Sequence, residues 1–259
     1  MAGLLDMTAH RMWAGSEVDA LWAGGQRWLR PISTLYGLGP GLVPTHWDPA
    51  SALVNGAGDV TAVPNLGAAG AGYDAAPAGS GAIKRIDGKL ALTGANYLSV
   101  PGTPDLMGTR CFIVAELTFP VRLTYFLGNV AAGNNGNAQA RFDSQTKTIL
   151  LQRNDGSGYT NAPALGWPDM SEGLHLIELE LLPSTLKLFV GGVQKSSVAT
   201  PAWPNFPVSR LGIGQSTPGI TGKLGDIVPM ITDGSAAMAR SIGIIRRRLA
   251  EKHPGLVIA

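Results

Sequence analysis

The stretch Gly173-Leu174-His175-Leu176-Ile177-Glu178-Leu179-Glu180-Leu181-Leu182 decides the fold. After Leu174, Leu176 and Ile177, the apolar residues settle on Leu179 and Leu181, while Glu178 and Glu180 hold the opposite parity. A period of two marks a strand with one buried and one wet face. Pro183-Ser184-Thr185 then makes a tight connection, and residues 186–190 supply the second arm of a hairpin.

Outward from this hairpin the chain is a succession of short strands. Segments 89–100, 111–119, 124–127, 138–142, 148–152, 210–214 and 223–231 are apolar or alternating and are separated by turn residues every 8 to 12 positions or so, the pattern of a sandwich or jelly roll. Residues 42–81 are rich in Gly, Ala and Pro, yet Val54, Val60, Val63 and Leu66 are spaced as short β pieces, so ordered loops and a strand are expected there. One helix is expected near the end. Asp233 or Ser235 can cap it, Met238, Ile242, Ile245 and Leu249 form its apolar stripe, and Pro254-Gly255 stops it. Arg246, Arg247 and Lys252 suit the negative end of its dipole and are expected to be solvated.

Composition narrows the class. The 259 residues include 35 Gly and 18 Pro, with 45% apolar and only 15% charged residues, which favours a turn-rich β fold with a surface of small and polar residues. Twenty basic against 18 acidic residues leave a net charge of +2, too balanced for an electrostatic nucleic-acid binder. The single cysteine, Cys111, excludes an intramolecular disulfide, and its neighbours Phe112, Ile113 and Val114 make it a buried thiol. There is no basic n-region before Arg11 and no apolar h-region, so a secretory signal is not expected, and no apolar run approaches the ~18 residues of a membrane span. Residues 1–40 stand apart. Met12-Trp13-Ala14-Gly15 is echoed by Leu21-Trp22-Ala23-Gly24 and followed by Trp28, which suggests either a local Trp cluster or a docking segment for another protein.

Together these segments resemble a known family. Gly173 to Glu180, Ser184 to Val190 and Gly191-Gly192-Val193 resemble the paired strands of concanavalin A-like, laminin-G-like jelly rolls, with Gly191 where that family usually has Asp. Ile86-Asp87-Gly88 with Tyr97-Leu98-Ser99-Val100 resembles its early strand pair, and the segment from Gly222 to Ile231 with the terminal helix resembles its closing elements. Leu42-Val43-Pro44-Thr45-His46-Trp47-Asp48, continuing to Asn65-Leu66-Gly67, resembles the opening of such domains in virion proteins of tailed phages and phage-like particles. The resemblance covers residues 42–259. It implies an all-β concanavalin A-like jelly-roll sandwich over 41–259, preceded by a leader or attachment segment over 1–40. It also implies a non-enzymatic structural role in a virion as a decoration, spike, fibre or tail component. Other virion proteins, a homo-oligomer and host-surface polysaccharide are the implied partners. The alternatives are a lectin module and a jelly-roll glycosidase, because this fold hosts all three.

Chemistry-bearing residues are sparse. Glu178 and Glu180 share a strand face, as the acid and nucleophile of some jelly-roll glycosidases do, but Leu179 intervenes and Pro183 follows where that pattern needs further acids, so a solvated face is expected. His10, His46, His175 and His253 are scattered without metal-ligand spacing, and His175 is expected to pack or hydrogen-bond at a strand start. No Gly-x-Ser-x-Gly element exists, and the glycines 214–219 precede Ile220 and Thr221 rather than the Lys of a phosphate loop. Asp143, Asn137 and Asp155 could serve calcium but form no ordered motif. No cofactor or metal is therefore expected. Glycan binding has better candidates in polar loops with aromatics: Asn134, Asn135 and Asn137, Tyr159 with Trp167, and Trp203 between prolines. Trp13, Trp22 and Trp28 are the candidates for an assembly interface. Deleting residues 1–40 is expected to leave a cooperatively melting domain that no longer enters its particle; a truncated chain that does not fold would make the Trp cluster part of the core.

Overall fold

The computed structural model describes Leu38 and residues 42–129, 136–201, 203–213 and 218–259. The leader with Trp13, Trp22 and Trp28 lies outside the described residues, except for Leu38, which is buried in an apolar cluster with the C-terminal helix. The strands are β1 (Leu53–Val54), β2 (Val60–Ala62), β3 (Ala76–Gly79), β4 (Lys84–Ile86), β5 (Lys89–Thr93), β6 (Asn96–Ser99), β7 (Thr109–Thr118), β8 (Leu123–Gly128), β9 (Ala138–Asp143), β10 (Thr148–Asn154), β11 (Tyr159–Asn161), β12 (Leu165–Gly166), β13 (Gly173–Leu181), β14 (Thr185–Val190), β15 (Val193–Ala199), β16 (Arg210–Leu211) and β17 (Thr221–Ile231), followed by the helix α1 (Ala239–Lys252).

Two antiparallel sheets make a jelly-roll sandwich. One is seven-stranded, in the order β15-β14-β13-β7-β17-β5-β4, and the other runs β11-β10-β9-β8-β16-β6-β3 with β12 added to β10. Period-two residues from both sheets meet between them: Ile177, Leu179 and Leu181 of β13 and Cys111, Ile113 and Ala115 of β7 belong to one core with Phe142, Ile149 and Leu151 of the opposite sheet. Phe142 stacks on Phe126 with ring centroids 4.3 Å apart and meets Trp167 edge-on at 6.3 Å. Burial pushes the Cys111 thiol up, which keeps it protonated and inert.

The expected hairpin is present: Leu182 and Thr185 exchange backbone hydrogen bonds of 3.0 and 3.3 Å across Pro183-Ser184. The next turn, from β14 into β15, places both Gly191 and Gly192 at positive φ (56° and 86°), the requirement of a type I′ hairpin. A Cβ on Gly191 would lie 2.7 Å from the Val257 carbonyl oxygen, so a side chain has no room here.

The outer face of the seven-stranded sheet is apolar as well. Phe112 and Val114 of β7, Leu176 of β13 and Val228 and Met230 of β17 would meet water there; α1 covers them with Ile242, Ile245 and Leu249, while Met238, in the 3-10 turn before the helix, is partly buried. Each of these aliphatic side chains contributes roughly 1.5–3 kcal/mol by burial. The helix also changes the fate of the charges beneath it. Glu178 and Glu180 are buried rather than solvated, because they face α1 and β14. Glu178 receives Arg246 Nε and NH2 at 2.8 and 3.1 Å and Arg110 Nε at 2.7 Å, and Glu180 takes Lys187 Nζ at 2.6 Å and Arg110 NH1 at 3.3 Å. Arg246 and Lys252 are thus ion-paired where solvation was expected, and Arg247 is exposed as expected.

Ile245→Ala should cost about 2–5 kcal/mol in chemical denaturation, since it opens a cavity under the helix. Arg247→Ala should stay within about 0.5 kcal/mol, whereas Arg246→Ala, one position earlier, should cost roughly 1.5–3 kcal/mol by stripping charge-assisted bonds from buried Glu178. Equal effects at 246 and 247 would contradict the ion-pair account.

Candidate functional site

The residues proposed for glycan contact are not gathered into one site. Asn134 and Asn135 lie outside the described residues. Asn137 is buried at the start of β9, and Tyr159 is 38% exposed on the edge strand β11; register brings both to the same end of β10 through Asn154. Trp167 is 1% exposed, with its ring set edge-on to Phe142 and His175, and Trp203 is buried beside Phe206, at a centroid distance of 5.9 Å. Neither indole offers an open face for a sugar. Both are core, because the loops carrying them turn their aromatics into the ends of the sandwich. His175 hydrogen-bonds as expected, its Nε2 donating to the Ser171 carbonyl at 2.9 Å, and burial pushes its pKa down.

The polar chemistry concentrates instead on the outer face of the sheet that carries β9 and β10. In β9, Ala138, Ala140 and Phe142 point into the core, so Gln139, Arg141 and Asp143 point away from it. Gln139, Gln152 of β10 and Asn161 of β11 lie directly opposite one another on three adjacent strands. The Gln152 amide donates to Asn161 Oδ1 at 2.9 Å, and the Gln139 amide donates to Gln152 Oε1 at 2.5 Å. The chain of bonds ends at Gln139 Oε1, which has no partner although the residue is only 5% exposed. The same row continues by register through Gly128 of β8, Arg210 of β16 and Ser99 of β6.

Beside this row lie two arginine–tyrosine pairs on four neighbouring strands. Arg141 faces Tyr125 of β8, donates from NH1 to its hydroxyl at 2.9 Å and lies 5.6 Å from its ring centroid. Arg210 sits 4.7 Å over the ring of Tyr97 of β6. Asp143, the carboxylate of this face of β9, is gripped by Arg122 Nε and NH2 at 3.0 and 2.8 Å, and that guanidinium holds its carboxyl well below the usual range. The sequence signal for this surface is Ala138-Gln139-Ala140-Arg141-Phe142-Asp143, in which every second residue is polar.

A second cluster lies under the end of α1. A bulge between Leu224 and Ile227 turns Asp226 out of the sandwich, and Gly225 is needed there because a Cβ would lie 2.8 Å from Val114 Cγ1. Fully buried Asp226 accepts from His46 Nε2 at 2.7 Å, His253 Nε2 at 2.6 Å and Lys252 Nζ at 2.9 Å. Histidines scattered in the sequence are thus joined in space. One ligand atom each of His46, Asp48 and Asp226 lies within 4.8 Å of the others, a spacing that could hold a metal ion. The Lys252 ammonium already bridges Asp226 and Asp48, at 2.9 and 2.5 Å, so the cation of this cluster is part of the chain. Burial alone would raise the Asp226 carboxyl; the Lys252 charge and the two imidazole hydrogen bonds outweigh it and hold the group well below the carboxylate range.

No protein-family model matches the chain, and no curated protein matches it in sequence. Solved structures share its fold. Domain 4 of AbnA, a GH43 extracellular arabinanase from Geobacillus stearothermophilus, in complex with arabinotriose, superposes with a TM-score of 0.51 at 15% identity, covering 73% of this chain and 92% of that one. The HCR/D W1238A mutant gives 0.52 at 11% identity, covering 80% of this chain and 51% of that one, so the likeness spans about half of its length.

Asp226→Asn should lower stability by about 3–5 kcal/mol at pH 7, measured in urea, since it takes the buried counterion from the Lys252 ammonium and the acceptor from the two imidazoles. A depressed carboxyl stabilises the fold fully above the unfolded value of about 3.9, and that contribution is lost as pH falls through the folded value. The gap between the wild type and the variant should therefore begin to narrow below about pH 4 and keep narrowing as pH falls toward the folded value; a gap independent of pH would contradict the ionised state of Asp226.

Proposed function

We propose that this chain is a carbohydrate-binding β-sandwich module and that the glycan lies on the outer face of the sheet carrying Gln139, Gln152 and Asn161. The observation that carries the reading is the in-register amide row with its unpartnered, buried Gln139 Oε1. A buried acceptor left unpaired costs about 1–3 kcal/mol, and a sugar hydroxyl can recover that energy. Amides present donors and acceptors side by side, as neighbouring hydroxyls of a sugar ring require, while Tyr125, Tyr97 and the edge residue Tyr159 supply apolar ring surface. The arabinotriose held by domain 4 of AbnA supports the same use of this fold.

Binding rather than hydrolysis is the proposed activity. Glu178 and Glu180, the carboxylate pair nearest to a glycosidase pattern, are buried under α1 and engaged by Arg110, Arg246 and Lys187. Display on a virion, with residues 1–40 as the docking segment, draws its support from the sequence resemblance alone. The glycan would then belong to the surface of the host.

Calorimetric titration of the intact chain with a panel of oligosaccharides is expected to find a ligand that is recovered uncleaved. Gln139→Leu should weaken that ligand by about 5- to 150-fold, the loss of roughly 1–3 kcal/mol of hydrogen bonding, while the protein still melts cooperatively. A panel without a ligand, or full affinity in the variant, would overturn the proposal.

A further inference from the structure

The charge on the same face identifies the class of sugar. Resting on the glycan-binding reading, we propose that the ligand is an acidic glycan whose carboxylate is received by Arg141. The arginines that meet carboxylates elsewhere in the protein do so in close pairs: Arg110 with Glu178 and Glu180, Arg122 with Asp143, Arg246 with Glu178, and Arg248 with Glu251. Arg141 makes no such pair among the described residues. Its neighbour on the face, Asp143, is already engaged by Arg122.

The guanidinium of Arg141 is nonetheless held in place. NH1 donates to the Tyr125 hydroxyl at 2.9 Å, the ring centroid lies 5.6 Å away, and Nε is buried without a hydrogen-bond partner. A half-buried, oriented guanidinium that bonds the protein through NH1 alone among the described residues has donors to spare, and a carboxylate suits its fork with two parallel hydrogen bonds. The unpaired acceptor Gln139 Oε1 sits two residues earlier on the same strand and face, where a ring hydroxyl of the same sugar can donate to it. One unpaired donor and one unpaired acceptor, side by side, describe a sugar that carries both a carboxylate and hydroxyls.

The test is a calorimetric titration with hexasaccharides of polygalacturonate, alginate and hyaluronan, each beside its carboxyl methyl ester, and with a sulfated hexasaccharide. At least one carboxylated oligosaccharide should bind about tenfold or more tighter than its own ester, with a preference that shrinks as sodium chloride is raised. Arg141→Gln should erase the preference, the acid binding no tighter than its ester; Arg141→Lys, which keeps the charge but loses the fork, should retain part of it. Gln139→Leu should weaken acid and ester alike. Equal binding of acid and ester by the wild type, or a preference that survives Arg141→Gln, would overturn the assignment of Arg141 and leave the glycan reading standing. Tighter binding of the sulfated probe than of every carboxylated one would overturn the carboxylate. Binding of none would overturn both.

Discussion

The structure depends on the burial of β7 from both sides. Its residues Cys111, Ile113, Ala115 and Leu117 pack between the sheets, and Phe112 and Val114 point the other way. A strand with two apolar faces can sit only at the centre of a sheet that is covered twice. The opposite sheet supplies one cover and α1 the other, so the helix is required by the sandwich rather than appended to it.

Covering that face brings charges under the helix. Arg110 is carried by β7, Glu178 and Glu180 by β13, and Asp226 by the bulged part of β17; α1 brings Arg246 and Lys252 to meet them. Buried ion pairs add little net stability once desolvation is counted, yet removing one partner is costly. Their effect here is on placement. Arg246 meets Glu178 from the middle of α1 and Lys252 meets Asp226 from its last turn, so the helix is tied to the sheet at two points along its length.

The two sheets therefore divide their duties. The seven-stranded sheet spends its outer face on the helix. The other carries the amide row and the two arginine–tyrosine pairs on its outer face. Alternation produces both results: in 138–143 every second side chain enters the core, and the intervening Gln139, Arg141 and Asp143 point to the outer face, where Gln139 and Asp143 are themselves buried and hydrogen-bonded to side chains of that face.

Local periodicity was enough to read the strand 174–182, the turn at Pro183-Ser184, the apolar stripe of α1 and the buried thiol of Cys111, because each depends on neighbours within a few residues. The polar edge strand β15, Val193–Ala199, carries no such period, since it pairs on one side only and packs weakly. The burial of the carboxylates is hidden from local pattern for a related reason. Alternation tells that Glu178 and Glu180 leave the core, but not that a helix 68 residues later returns to cover Glu178. Trp167 and Trp203 looked like sugar platforms among polar loop residues, and the closure of the sandwich ends turned them inward. His46 meets Asp226 across 180 residues and Gln139 meets Gln152 across 13, by chain reversal and strand register respectively. The sequence determined which residues alternate and therefore which strands and helix form; only the tertiary structure decided which outward face the helix covers and which carries the polar row, because that choice is made by packing between segments far apart in the chain.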